Sequence, residues 1–132
     1  MTTIINASPT NGLTQTADGS GVMKVQSNGV TTNALAWVRF SGASPTIASS
    51  YNVSSLTRQS AGNYTISFTT ATADANYAVL GTGSGKSGTE SPGIVTLNWG
   101  TVPSTSSFLL NVINTSSTGI DNAYTSVVVF GN

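Results

Sequence analysis

A period of two in the hydrophobic pattern is the feature of this sequence that most constrains its fold. In the stretch NYTISFTT, the apolar residues Tyr64, Ile66 and Phe68 alternate with hydroxyl-bearing residues. Successive side chains of a β-strand point to opposite faces of a sheet, so this stretch predicts a strand with one buried and one exposed face. No segment shows the period of about 3.6 residues that an amphipathic helix requires. We therefore expect an all-β fold with no significant helix.

Turn-forming residues divide the chain into short strands. The run SAGN at residues 60–63 separates two strand-like stretches, so residues 53–69 are expected to form a β-hairpin. Further strands are predicted at residues 34–40, 77–83, 94–100, 107–115 and 124–130. The connecting segments, among them SGASPTIASS at residues 41–50, are rich in residues that turns prefer. Strands at this spacing predict an antiparallel β-sandwich of about seven main strands over residues 34–132.

Residues 1–33 differ from the rest of the chain. They hold short strand-like runs such as GVMKVQS between Gly and Asn turns, with little apolar material. Such a segment cannot bury enough surface on its own to offset the entropy lost on ordering. We expect an extended N-terminal segment that lies along the main domain, pairs with partner chains, serves as an attachment arm, or stays loose.

Charged residues are scarce, and this excludes several functions. The chain holds 4 Lys and Arg and 4 Asp and Glu, a formal net charge of zero, so charged residues are 6% of the sequence. Soluble domains have about 25%. No basic face is available to neutralise phosphates, so nucleic-acid binding is not expected. No apolar run approaches the roughly 20 residues of a membrane helix, and the first residues lack the pattern of a signal peptide. We expect a protein that is made in a cytoplasm, is not secreted through a signal peptide and is not inserted into a membrane.

Catalytic and cofactor sites are also not expected. The sequence contains no His and no Cys, and this removes the commonest general base and metal ligand and all thiolate chemistry. The acidic residues form no calcium-binding loop and no local pair of the kind that glycosidases use. They are Asp18, Asp74, Glu90 and Asp121. Asp74, in TADANY, is expected to form a turn through its carboxylate. We therefore predict a non-enzymatic protein without cofactor or metal.

The stretch GTGSGKSG at residues 81–88 is similar to a phosphate-binding loop but does not match one. That loop needs four residues between its first Gly and the Gly-Lys-Ser, whereas Gly81 leaves three before Gly85. A phosphate-binding loop also opens a helix, and the residues that follow here predict a turn and a strand. The stretch is therefore expected to be a hairpin loop of Gly and Ser.

Candidate ligand-binding residues lie in two predicted loops. The loop at residues 84–91 holds Lys86 and Glu90, and the segment at residues 43–52 holds Tyr51. Loops on a rigid sandwich often carry binding residues because the scaffold leaves them free to vary.

The two tryptophans, Trp37 and Trp99, are expected to pack in the core or at an interface between chains. Trp99 is the better binding candidate, because Gly100 and Pro103 place it near a strand end beside a loop. The candidate ligand-binding residues are therefore Lys86, Glu90, Tyr51 and Trp99.

Two predicted strands carry apolar residues at consecutive positions. They are SFLLNVI at residues 107–113 and SVVVF at residues 126–130. A two-layer sandwich buries one face of each strand, so the second face is predicted to contact a neighbouring chain. In a chain with so few charges, such faces would aggregate if they stayed exposed. We expect an obligate homo-oligomer.

Several stretches resemble a module that recurs in virion proteins of tailed bacteriophages, often as the C-terminal domain of tail fibres or similar appendages. They are ALAWVRFSG, YNVSSLT, GNYTISFTTATADANYAVLG and the final VVVFGN. The opening TADGSGVMKVQSNGVTTNALAW is similar to the stretch that commonly precedes this module. The resemblance covers nearly the whole chain.

The resemblance implies a structural protein of the virion, with no catalysis. It implies an appendage or fibre-tip component that contributes to attachment to the host surface, with other virion proteins and host surface polysaccharide as partners. It also favours a homotrimer. Two alternatives remain open, a capsid decoration or head-fibre protein, and a carbohydrate-binding module that is not tied to a virion.

Overall fold

A computed structural model describes residues 25–27, 30–85 and 92–131. All regular secondary structure in these ranges is β. The strands are β1 (Gln26–Ser27), β2 (Val30–Thr31), β3 (Ala36–Ser41), β4 (Thr46–Tyr51), β5 (Val53–Ser60), β6 (Asn63–Phe68), β7 (Ala78–Gly83), β8 (Ile94–Leu97), β9 (Ser107–Ile113) and β10 (Thr125–Phe130).

Strands β3 to β10 form two antiparallel four-stranded sheets. The front sheet has the order β4-β3-β10-β7, and the back sheet has the order β5-β6-β9-β8. The prediction of an all-β sandwich is confirmed, with eight strands rather than seven. The predicted hairpin at residues 53–69 is β5 and β6, joined by the turn at residues 61–62.

The eighth strand is β4, which lies in the segment 41–50 that the sequence predicts to be a connector. It pairs with β3, placing Tyr51 opposite Trp37, and the pairing is interrupted by a bulge between Arg39 and Phe40. β4 is an edge strand, and its side chains are exposed except for a half-buried Ser50. An edge strand that buries so little carries no hydrophobic alternation, and this is why the prediction was wrong here.

The chain passes from the front to the back sheet at Asn52, between β4 and β5. Asn52 has a φ of 54°, a left-handed conformation that Asn tolerates better than most residues. Its amide donates to the carbonyls of Leu35 and Thr70, each at 3.1 Å, and its Oδ1 accepts from the N–H of Thr70 at 2.7 Å. At the opposite edge, a bridge between Gly83 and Gly93 joins the β7 side to the β8 side. Both edges of the sandwich are thus tied together.

The inner faces of the two sheets form the core. The predicted alternation in β6 is confirmed, since Tyr64, Ile66 and Phe68 are buried while the residues between them are half-buried. Aromatic rings pack across the interior, with Phe40 and Tyr64 at 5.0 Å and Phe68 and Tyr77 at 5.6 Å between ring centroids. The remaining buried apolar residues are Ala36, Val38, Phe108, Leu110, Val112, Ile120, Val127 and Val129.

The apolar runs of β9 and β10 divide between two environments. One set of side chains enters the core, and the other set, which includes Leu109 and Val128, is half-buried on the outer faces. Of the N-terminal segment 1–33, the described part contains the antiparallel pair of β1 and β2, flanked by a hydrogen bond from Thr32 N–H to the Val25 carbonyl at 2.7 Å. The rest of that segment lies outside the described residues. The described residues contain no helix with the length and apolarity of a membrane span.

Candidate functional site

Trp99 is the most exposed large apolar side chain of the described residues, at 96%. It lies in the β8–β9 loop, residues 98–106, which connects neighbouring strands of the back sheet. Val102, in the same loop, is 87% exposed. Burial of an indole ring in a binding partner is among the largest single contributions to an interface. This loop is therefore the first candidate for a binding site.

The start of the loop is held by Asn98. Its N–H donates to the Leu109 carbonyl at 2.9 Å, and its side-chain amide donates to Asn111 Oδ1 at 3.1 Å. Its Oδ1 accepts from the N–H of Gly100 at 2.9 Å. The residues on both sides of Trp99 are thus attached to the back sheet.

The end of the loop is held by Ser104 and Tyr77. The Tyr77 hydroxyl donates to the Ser104 carbonyl at 2.8 Å, and the Ser104 hydroxyl accepts from the N–H of Ser107 at 3.0 Å. Burial raises the pKa of Tyr77 to about 12, so this phenol stays neutral and keeps its donor at physiological pH. An indole on a loop fixed at both ends loses little conformational entropy on binding.

The placement of Trp99 near a strand end beside a loop agrees with the sequence prediction, and its role in ligand binding stays a prediction. Of the two environments predicted for the tryptophans, the core is excluded, since Trp37 is 39% exposed on the outer face of β3 and Trp99 is exposed as well. Packing at an interface between chains stays a prediction. Val102 was not predicted. The segment TVPST gave no apolar pattern, because a single exposed Val in a turn-rich loop has no periodicity.

The other candidate residues do not join Trp99. Tyr51 ends strand β4 on the outer face of the front sheet, opposite Trp37, and not in a loop as the sequence predicted. Lys86 and Glu90 lie outside the described residues. Tyr51 lies in the front sheet and Trp99 lies in a loop that connects two strands of the back sheet, so we treat them as two separate candidates.

A polar cluster is formed by Arg58, Tyr64 and Asp121. Arg58 Nε and Nη2 donate to the two carboxylate oxygens of Asp121 at 3.1 and 2.8 Å, a bidentate ion pair. The Tyr64 hydroxyl and the N–H of Gly62 both donate to Asp121 Oδ1. Arg58 and Asp121 are 63 residues apart in the chain, so no sequence spacing indicates this cluster.

These contacts keep the Asp121 carboxylate ionised. The hydrogen bonds from Arg58, followed by those from Tyr64 and Gly62, hold the pKa of Asp121 at about 2 despite partial burial. Burial and the bond to Asp121 raise the pKa of Tyr64 well above its ordinary value. The ion pair with Asp121 also raises the pKa of Arg58. None of the three changes its charge near neutral pH, and the cluster joins the β5–β6 turn to the segment before β10.

Acid should therefore weaken the fold. The folded-state pKa of Asp121 lies below the ordinary value of 3.8, so its contribution to stability is present above about pH 4 and is lost as the pH falls towards 2. We expect Tm, measured by circular dichroism, to fall over this window, and to fall less steeply in Asp121→Asn. At pH 7 this variant should lose about 1–2 kcal/mol, because Tyr64 and Gly62 keep only a neutral acceptor.

Asp74→Asn is the matched control for the replacement of a carboxylate by an amide. The Asp74 carboxylate accepts from the N–H of Asn76 at 2.7 Å, the turn that the sequence predicted, and an Asn side chain can accept the same bond. Its Tm at pH 7 should follow the wild type. An equal acid profile for Asp121→Asn and wild type would contradict the role given to Asp121. The described residues contain no group of three or more acidic residues placed to hold a metal ion.

No protein-family model, curated protein or solved structure matches this chain. The candidate site is described from the chain's own geometry, an exposed indole on a loop whose ends are held by Asn98 and Tyr77.

Proposed function

We propose that this chain is a non-enzymatic structural protein of a bacteriophage virion, an appendage or fibre-tip component that contributes to attachment to the host surface. The sequence resemblance supports the virion. The observation that carries the attachment role is Trp99, almost fully exposed on a loop whose two ends are fixed by Asn98 and Tyr77.

The surface chemistry favours a polysaccharide as the ligand. Sugars present hydroxyl groups at ring edges and apolar C–H groups on ring faces, so they are bound by aromatic rings beside hydrogen-bonding groups. Trp99 supplies the ring, and the same loop carries the exposed hydroxyls of Thr101 and Thr105. The low content of charged residues suits a neutral glycan better than an anionic one.

Asp121 is not suited to act as a general acid at neutral pH. A general acid at neutral pH needs a raised pKa, whereas Asp121 has a pKa of about 2 and accepts hydrogen bonds from three residues. Incubation with host envelope polysaccharide should produce no new reducing ends. Release of reducing ends that survives repurification of the protein would contradict the proposal.

The virion location has a direct test. Mass spectrometry of purified particles should detect the chain, and antibody-labelled particles in negative stain should carry the label on a tail appendage. Label on the head would assign the chain to the capsid as a decoration protein. Absence from purified particles would leave a carbohydrate-binding module that is not tied to a virion.

Trp99→Ala should weaken attachment and leave the fold intact. Loss of an aromatic anchor costs about 2 kcal/mol or more, a fall in affinity of roughly 30-fold. The free energy of unfolding should change by no more than about 0.5 kcal/mol, because the side chain is exposed. The measurement is competition between the purified protein and phage for adsorption to host cells. Thr115→Ala, at an exposed position outside this loop, is the control, and equal competition by Trp99→Ala and wild type would remove Trp99 from the site.

A further inference from the structure

An apolar band crosses the outer face of the front sheet from edge to edge. The strand register places Tyr51 opposite Trp37, Trp37 opposite Val128, and Val128 opposite Leu80. These four residues come from β4, β3, β10 and β7, in that order across the sheet. We call this surface, together with its neighbours Phe130, Ala78 and Tyr124, the apolar face.

The apolar face lies outside the core. Its large side chains point away from the back sheet and are between 37% and 57% exposed, except for Val128, which is half-buried. The outer face of the back sheet is mostly polar. There the register aligns Ser55, Ser67 and Ser107 in one row and Asn63, Asn111 and Thr96 in another. The apolar side chains of that face are Leu109 and, at the β8 edge, the Ile94–Ile113 pair. The two outer faces therefore have different chemistry, although both lie on the same sandwich.

Charge does not oppose contact at the apolar face. Among the described residues, Arg39 is the one charged side chain on the outer face of the front sheet. Its guanidinium lies over the Tyr124 ring, 5.0 Å from the centroid. The whole chain has a formal net charge of zero. Two copies therefore approach without the repulsion that keeps most soluble proteins apart.

The exposed area of the apolar face is close to the apolar area that one partner buries in a specific protein–protein interface. Large aromatic side chains have about 150–250 Å² each, so the side chains of this face present about 500 Å² at their exposures. A specific interface buries about 800 Å² per partner, of which slightly more than half is apolar. The apolar face supplies that share, and the neighbouring row of Ser49, Arg39, Ser126 and Thr82 supplies a polar rim.

The aliphatic part of the face favours protein over sugar as the occupant. Trp37 and Tyr51 alone would suit a sugar ring, but Val128, Leu80 and Phe130 offer no hydrogen bond to the hydroxyls that a sugar would lose from water. A copy of the same chain brings an equal, neutral, apolar surface, and it is present wherever the chain is made. We propose that the apolar face is the interface between copies of this chain. This inference is independent of the proposed role in attachment.

The test places charge at the centre of the face. Leu80→Lys/Val128→Lys changes two cross-strand neighbours that point away from the core, so the sandwich should fold, as far-UV circular dichroism would verify. Light scattering after size exclusion, at micromolar concentration, should give a multiple of 13.4 kDa for the wild type and 13.4 kDa for the double variant. A threefold mass would agree with the homotrimer that the resemblance to fibre proteins favours.

The matched control is Thr65→Lys/Leu109→Lys, a cross-strand pair on the outer face of the back sheet. It should assemble as the wild type does. A wild type that stays monomeric, or a Leu80→Lys/Val128→Lys variant that stays assembled, would overturn the inference.

Trp37 reports on the face directly in a Trp99→Phe background, where it is the single tryptophan of the chain. Its emission should shift to longer wavelength on dilution and in the Leu80→Lys/Val128→Lys variant, because the ring returns to water. Emission that does not change with concentration would overturn the inference. Quenching of Trp37 in a monomeric protein by dextran or hydroxyethyl cellulose would reassign the face to sugar binding.

Discussion

Replacement of Gly62 by alanine should lower the free energy of unfolding by about 2–5 kcal/mol, the sum expected from a left-handed backbone and an overpacked site. Gly62 lies in the β5–β6 turn with a φ of 73°. A Cβ at this position would lie 2.2 Å from the Val112 carbonyl oxygen and 2.7 Å from the Ile120 nitrogen. Those are backbone atoms, and the Gly62 carbonyl already accepts from the N–H of Val112 at 2.7 Å. Relief of the clash would therefore break the contact between the turn and β9.

Urea unfolding followed by circular dichroism measures this loss, with all variants at one protein concentration because assembly adds to apparent stability. Gly100→Ala is the control. The nearest atom to its added Cβ would be Asn98 Oδ1 at 3.4 Å, an ordinary contact, so its unfolding free energy should change by less than about 1 kcal/mol. Similar losses for the two alanine variants would show that the turn can move, contrary to the packing described here.

The fold was predictable from the sequence wherever one face of a strand is buried. The alternation of Tyr64, Ile66 and Phe68 predicts β6, because every second side chain of this strand enters the core. β4 buries almost nothing and was missed. The turn at residues 60–63 was predictable from its residue types, but the contact of Gly62 with residues 112 and 120 was not. A local sequence pattern indicates local conformation, but it does not indicate contacts between segments that are distant in the chain.

The candidate sites, too, were predictable only where the residues that define them are close together in the sequence. Trp99 could be placed beside a loop because Gly100 and Pro103 are its neighbours in sequence. The apolar face could not be predicted, because its members come from four separate strands and meet through the register of three pairings. Of the two strands with an apolar second face in the sequence, β10 contributes to the apolar face, whereas β9 lies in the back sheet, so the predicted contact through β9 is not part of this interface. The structure extends the β10 signal across the front sheet through Trp37 and Leu80.

The separation of the two surfaces bears on how they could work together. The apolar face belongs to the front sheet, whereas the Trp99 loop connects two strands of the back sheet. If copies pack through their front sheets, the Trp99 loops remain available to a ligand. Assembly then multiplies the number of loops per particle, and several weak contacts to a repetitive polysaccharide add up to strong attachment.

The second large effect is expected at Tyr64, which joins the core to the Asp121 cluster. Its ring is fully buried, 5.0 Å from that of Phe40, and its hydroxyl donates to Asp121. Tyr64→Ala should cost about 4 kcal/mol, in the range for removal of a buried aromatic ring. Urea unfolding followed by circular dichroism measures the loss.

Tyr64→Phe separates the ring from the hydroxyl. The ring stays packed against Phe40, and Asp121 keeps its bonds from Arg58 and Gly62, so the loss should fall to about 1–2 kcal/mol. The phenylalanine variant should also lose less stability than the wild type between pH 4 and 2, because one of the bonds that depress the pKa of Asp121 is gone. Equal losses for Tyr64→Phe and Tyr64→Ala would mean that the hydroxyl, and not the packed ring, accounts for the stability that Tyr64 provides.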